Sequence, residues 1–139
     1  MAAAETIETD SPAVQAVLAY VDAWNAHDPA AIRACFTADG VLHDPFKPHG
    51  LKAEAIQAFA QETIGQFPTV RFELQQVHAV RHDTICFELE CSVMVTPPGA
   101  GAAKRVVLKA CDVAELRHGK FVQLRSYFDR ASIAEQLQA

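Results

Sequence analysis

The spacing of apolar residues changes character near residue 69. Before it, apolar positions recur every three or four residues; after it, they alternate. Val14, Val17, Leu18, Val21 and Trp24 form one helical stripe, and Ser11-Pro12 supplies an N-cap and a first-turn proline ahead of it. That predicts a helix from Ser11 to about Ala26. Asp28-Pro29 predicts a second helix by the same logic, carrying Ile32, Cys35 and Phe36 and broken at Asp39-Gly40. Val41 to Asp44 reads as a short extended piece stopped by Pro45 and Pro48. A third helix follows Gly50, with Ile56, Phe59 and Ile64 on its buried side, and Gly65 and Pro68 close it.

From Thr69 the period is two. Val70, Phe72 and Leu74 alternate with Arg71, Glu73 and Gln75, and Ile85, Phe87, Leu89, Cys91, Val93 and Val95 form the apolar side of the next strand. Pro97-Pro98-Gly99 is a turn, a strand runs from about Lys104 to Leu116, and Arg117-His118-Gly119-Lys120 is a hairpin turn. Phe121 to Asp129 is the last long strand, and Ser132 to Leu137 a short closing helix. Helices first and strands afterwards predict an α+β fold. Three helices would pack in the concavity of a curved antiparallel sheet, leaving a tapered apolar pocket that side chains do not fill.

Composition narrows the picture. The 139 residues suit one domain, over residues 11–139, preceded by a flexible tail at 1–10. A net charge of −5, with basic residues dispersed among acids, argues against a nucleic-acid partner. No apolar run approaches the ~20 residues that span a bilayer, so no membrane segment is expected. The start, MAAAETIETD, lacks the basic and apolar regions of a signal peptide. The four cysteines (Cys35, Cys86, Cys91 and Cys111) form no CxxC pair, which reads as reduced thiols in a cytoplasmic protein. His78 and His82 flank a strand turn, and no spacing brings three ligands together, so no metal is expected. GxGxxG, Walker and GxSxG motifs are missing, and no cofactor is expected either.

The candidate chemistry begins with Asp112. Val106, Leu108, Ala110, Asp112, Ala114 and Leu116 share one face of their strand, and only Asp112 is polar. If that face is the inner one, the carboxyl must be paired or take up a proton. The alternative is a satisfied structural aspartate, bonded to a backbone amide or to a partner such as Arg125. Asp44, at a proline-bounded loop, is a second candidate, although Asp-Pro is also a common turn initiator. Tyr20 can lean on the same side of the first helix as Val17 and Trp24, and alone it would read as a core aromatic.

Residues 17 to 50, VLAYVDAWNAHDPAAIRACFTADGVLHDPFKPHG, resemble the N-terminal half of bacterial ketosteroid isomerases. The resemblance continues through VVLKACDVAEL and GKFVQLRSYFD and covers residues 11 to 130 in order. Those enzymes belong to the NTF2-like (cystatin-like), cone-shaped superfamily, with SnoaL-like polyketide cyclases, limonene-epoxide hydrolase and scytalone dehydratase. The ending from Tyr127 to Leu137 is more similar to SnoaL-like members. The isomerases' catalytic tyrosine falls on Tyr20, their general base on Asp44 and their protonated aspartic acid on Asp112. A pocket-lining aromatic falls on Phe128, and their second tyrosine is replaced near Ala60. In ketosteroid isomerases an apolar site keeps that aspartic acid neutral, so that it can donate a hydrogen bond.

The resemblance implies that Asp44 moves a proton next to a carbonyl while Tyr20 and neutral Asp112 bind the enolate oxygen. Trp24, Phe36, Phe59, Phe87, Leu108 and Phe128 would then line the pocket around a small hydrophobic ligand. The expected function is isomerisation or cyclisation by proton transfer; the alternatives are a hydrolase or dehydratase, or a non-catalytic carrier. The outward side of the last two strands, with Val107, Cys111, Val113, Phe121 and Tyr127, predicts a homodimer through the sheet face.

Overall fold

The computed structural model describes residues 11–138, so the expected tail at 1–10 lies outside the described residues. Local capping starts the first two helices as the sequence implies. The Ser11 hydroxyl accepts from the Val14 amide at 3.5 Å ahead of α1 (Pro12–Asn25), and the Asp28 carboxylate accepts from the Ala31 amide at 3.1 Å ahead of α2 (Pro29–Ala34). α2 is shorter than expected. It ends at Ala34, and Phe36–Asp44 forms strand β1, so Asp39-Gly40 lies within a strand instead of breaking a helix. A Cβ on Gly40 would sit 2.6 Å from the Phe121 carbonyl oxygen, so glycine is what lets β1 approach its neighbour there.

Pro48 likewise does not stop the chain's extended course. It lies in β2 (Lys47–Lys52), which pairs antiparallel with β1 at the sheet edge, where a missing N–H breaks no ladder. α3 (Glu54–Gln66) follows. Then come β3 (Arg71–Arg81), β4 (Thr84–Val95), β5 (Lys104–Arg117), β6 (Lys120–Tyr127) and α4 (Ala131–Gln138). The six strands order as β2-β1-β6-β5-β4-β3. β3 to β6 form the expected antiparallel run, but β1 joins β6 in parallel, so the curved sheet is mixed, not wholly antiparallel. The β5–β6 hairpin turns on His118 and Gly119, both at positive φ (53° and 75°), which matches the twist of the strands.

A β-bulge in β6 changes what faces inward. Leu116 opposes Phe121, yet Glu115 opposes Gln123, so Val122 is an inserted residue. Phe121 therefore points into the core, fully buried and 5.3 Å from the Tyr20 ring, and is not part of the outer face as expected. α1 is tied across the concave side by the Asn25 side-chain amide. Its Nδ2 donates to the Phe72 carbonyl at 2.9 Å, and its Oδ1 accepts from the Phe72 amide at 2.8 Å. His27 Nε2 adds a bond to the Val70 carbonyl at 2.8 Å.

The taper is visible along single strands. In β4 the inward residues Ile85, Phe87 and Leu89 are buried, while Leu89, Cys91, Val93 and Val95 border a cavity. In β5 Ala114 and Leu116 fill the core, and Val106, Leu108, Ala110 and Asp112 border the same cavity. Each strand thus contributes one half to packing and one half to a hole.

Candidate functional site

The hole is a cavity of about 800 Å³, within the range that encloses small organic ligands. Tyr20 and Trp24 of α1 and Asp112 of β5 form its buried end. Phe59, Thr63 and Phe67 border it from the α3 side, and Ile133, Ala134 and Leu137 of α4 close another wall. Phe46, Glu62, Gln66 and Arg130 stand at the exposed end, with the Phe46 ring 5.7 Å from Phe128 and 5.6 Å from the Arg130 guanidinium.

Asp112 is 2% exposed, and its Oδ1 has no hydrogen-bond partner among the described residues. Burial lifts its pKa from 3.8 to about 7; the Ser126 hydroxyl opposes the rise and the nearby Asp44 charge adds to it. Ser126 is its cross-strand neighbour. Arg125 is not its partner, because the Val122 bulge slips the register by one residue. Arg125 instead opposes Val113, and its guanidinium reaches Glu115 at 3.3 Å and Gln123 at 3.1 Å.

Asp44 is half-buried at the end of β1 and borders the cavity. Its Oδ1 accepts from the Phe46 amide at 2.9 Å, fixing the turn into β2. Both sequence-level roles therefore coincide: it shapes the turn and it faces the hole. Burial raises its pKa, while the Phe46 amide and Lys47 draw it back down.

The Tyr20 ring is held edge-on by Trp24, Phe36, Phe72 and Phe121, with centroids 5.3–6.4 Å away. Burial, then the Asp112 and Asp44 charges, push its hydroxyl well above its ordinary value, so Tyr20 stays a neutral donor. Cys91, also on the cavity wall, is pushed up to about 12 by burial and by Asp44, which leaves it an unreactive thiol.

Tyr20, Asp44 and Asp112 therefore meet at one cavity, bordered also by Trp24, Phe59, Leu108 and Phe128. Phe36 and Phe87 do not border it. Phe36 packs behind Tyr20 at 6.0 Å, and Phe87 lies fully buried in the filled half of β4. Ser126, Cys91, Phe46, Lys47 and the α4 residues escaped the sequence reading. Ser126 is recoverable only by counting back from the hairpin and allowing for one bulge. Among the described residues, no group of three or more His, Cys, Asp or Glu is placed to hold a metal ion, and no helix is long and apolar enough to cross a membrane.

A curved mixed sheet with helices over an apolar, carboxyl-containing cavity defines a class of small pocket proteins, the NTF2-like superfamily. Within it, residues 17–124 match the SnoaL-like domain model, so the chain belongs to the SnoaL-like domain family. A comparison with curated proteins finds no match. Solved structures share the fold at low identity. One is a protein of ketosteroid isomerase-like fold from Catenulispora acidiphila, bound to trimethylamine, at 18% identity and TM-score 0.78, covering 89% of this chain and 92% of that one. IdmH, a candidate polyketide cyclase from Streptomyces antibioticus, is 17% identical with TM-score 0.78, covering 91% and 99%. An M. tuberculosis epoxide hydrolase of the LEH-like type is 21% identical with TM-score 0.67, covering 91% and 90%.

Proposed function

We propose that the protein binds a small hydrophobic carbonyl compound and catalyses proton transfer within it, as an isomerase or cyclase. The observation that carries this reading is the buried Asp112 carboxyl, with one oxygen unpartnered, in an apolar cavity that a second carboxyl, Asp44, also borders. Two carboxyls with different surroundings suit two roles. Ionised Asp44 removes a proton from the carbon beside the carbonyl, and the electron pair moves onto oxygen. Tyr20 and protonated Asp112 donate hydrogen bonds to that oxygen, where charge develops. Asp44 then returns the proton to another carbon. The base and both donors are side chains of this chain, so the step closes without a cofactor.

The test is deuterium uptake from D2O at the carbon beside the carbonyl of 2-tetralone, a bicyclic ketone, followed by NMR. Uptake should exceed the buffer rate and follow a bell-shaped pH profile. The acid limb falls as Asp44 gains its proton, above the usual carboxylate range. The alkaline limb falls near pH 7 as Asp112 loses its own. Tetralone bound in the cavity with no uptake above buffer would instead mark a carrier.

We also propose a homodimer through the outer sheet face. Tyr127 is 57% exposed there, opposite Cys111 and diagonal to the half-buried Val113. Tyr127→Glu should then shift the sedimentation coefficient from dimer to monomer; a wild-type chain already monomeric at high concentration removes the idea.

A further inference from the structure

The indole nitrogen of Trp24 is a buried donor with no acceptor. Trp24 is 2% exposed, and its Nε1 has no hydrogen-bond partner among the described residues. A buried N–H left unmade is costly, and an indole can only donate. The ring cannot swing away to find a partner. It stacks on Phe72 at 4.7 Å and 6°, and Phe72 is itself clamped through its backbone by Asn25. The hydroxyl nearest in kind belongs to Tyr20, one helical turn earlier, whose ring stands at 83° to the indole with centroids 6.4 Å apart. Both residues border the same cavity, and no hydrogen bond joins the indole N–H to the phenol in this arrangement.

We propose that Trp24 is a positioning residue for Tyr20: its N–H closes onto the Tyr20 oxygen when the Tyr20 hydroxyl donates to an oxygen of a bound ligand. A hydroxyl that donates to an oxyanion gains negative charge on its own oxygen, and so becomes a better acceptor. The pair then forms a relay, indole to phenol to ligand oxygen. This rests on the reading of Tyr20 as a ligand donor, but not on turnover.

Trp24 is the chain's single tryptophan, so its indole proton gives one assignable NMR resonance. The probes are 2-naphthol, whose oxygen stands in for an enolate oxygen, and naphthalene, which has the same rings without it. The relay moves the indole proton downfield in the naphthol complex relative to the naphthalene complex. Trp24→Phe, which keeps an aromatic ring against Phe72, weakens naphthol binding about threefold to tenfold more than it changes naphthalene binding, the net worth of one hydrogen bond. Equal indole shifts with both probes, or a Trp24→Phe effect equal for naphthol and naphthalene, would overturn the relay. Tyr20→Phe separates the two ideas. If it removes the preference for naphthol while Trp24→Phe does not, only the relay fails. If it leaves the preference intact, the donor role of Tyr20 fails, and the relay with it.

Discussion

Replacing Asp44 by asparagine should cut deuterium uptake into 2-tetralone by about 10²–10⁴-fold, the usual contribution of a positioned base, while the ketone still binds. The substitution is close to isosteric. The asparagine carbonyl can still accept from the Phe46 amide, so the β1–β2 turn and the cavity wall should persist. What disappears is a carboxylate oxygen able to hold a proton. Among the described residues, only the Phe46 amide hydrogen-bonds the Asp44 side chain, through Oδ1, so the other oxygen is available to the ligand. A second effect follows from the shared field: without the Asp44 charge, Asp112 ionises more readily. The alkaline limb of any residual activity should therefore move to lower pH. Uptake at the wild-type rate in Asp44→Asn, with tetralone bound, would show that Asp44 is not the base.

How much of this was legible beforehand differs by element. Asp112 was readable from parity alone, because from Val106 to Leu116 one face of β5 carries a single polar residue, and that face is the inner one. The caps at Ser11 and Asp28 fixed helix starts through short-range chemistry that needs no tertiary context. The convergence of Tyr20, Asp44 and Asp112 was not readable from spacing; it came from resemblance, since no local rule brings residues 20, 44 and 112 together. Phe36 and Phe87 show the limit of periodicity. It tells which side of an element is apolar, but the filled and hollow parts of a cone lie on that same side. The Val122 bulge shows another limit. One inserted residue turns Phe121 inward, sends Arg125 outward and sets Ser126 opposite Asp112, and nothing in the local sequence marks it. Asp39-Gly40 misled for a related reason. Glycine there serves a close approach between β1 and β6, a long-range demand that overrides its habit of ending helices.

The burial of Asp112 should also appear in folding stability, independent of any ligand. Its folded pKa of about 7 lies above the value of 3.8 expected when solvated, so between those values the native chain holds a proton that the unfolded chain releases. The sign follows. The stability contribution is fully present below about pH 4, declines as pH rises, and is gone above about pH 7. At about 1.36 kcal/mol for each tenfold change in proton affinity, the span is worth about 4 kcal/mol. Asp112→Asn is neutral throughout and can keep a bond to Ser126, so it should lack this decline. Urea unfolding of both proteins across pH 4 to 8 should show the variant gaining up to about 4 kcal/mol on the wild type, with the other carboxylates cancelling in the difference. The pH at which that gain levels off, near 7, should coincide with the alkaline limb of deuterium uptake, because one proton governs both. A difference curve flat over this range would mean that Asp112 is solvated and ionised in the native protein. The donor half of the proposed chemistry would then have no proton to offer at neutral pH.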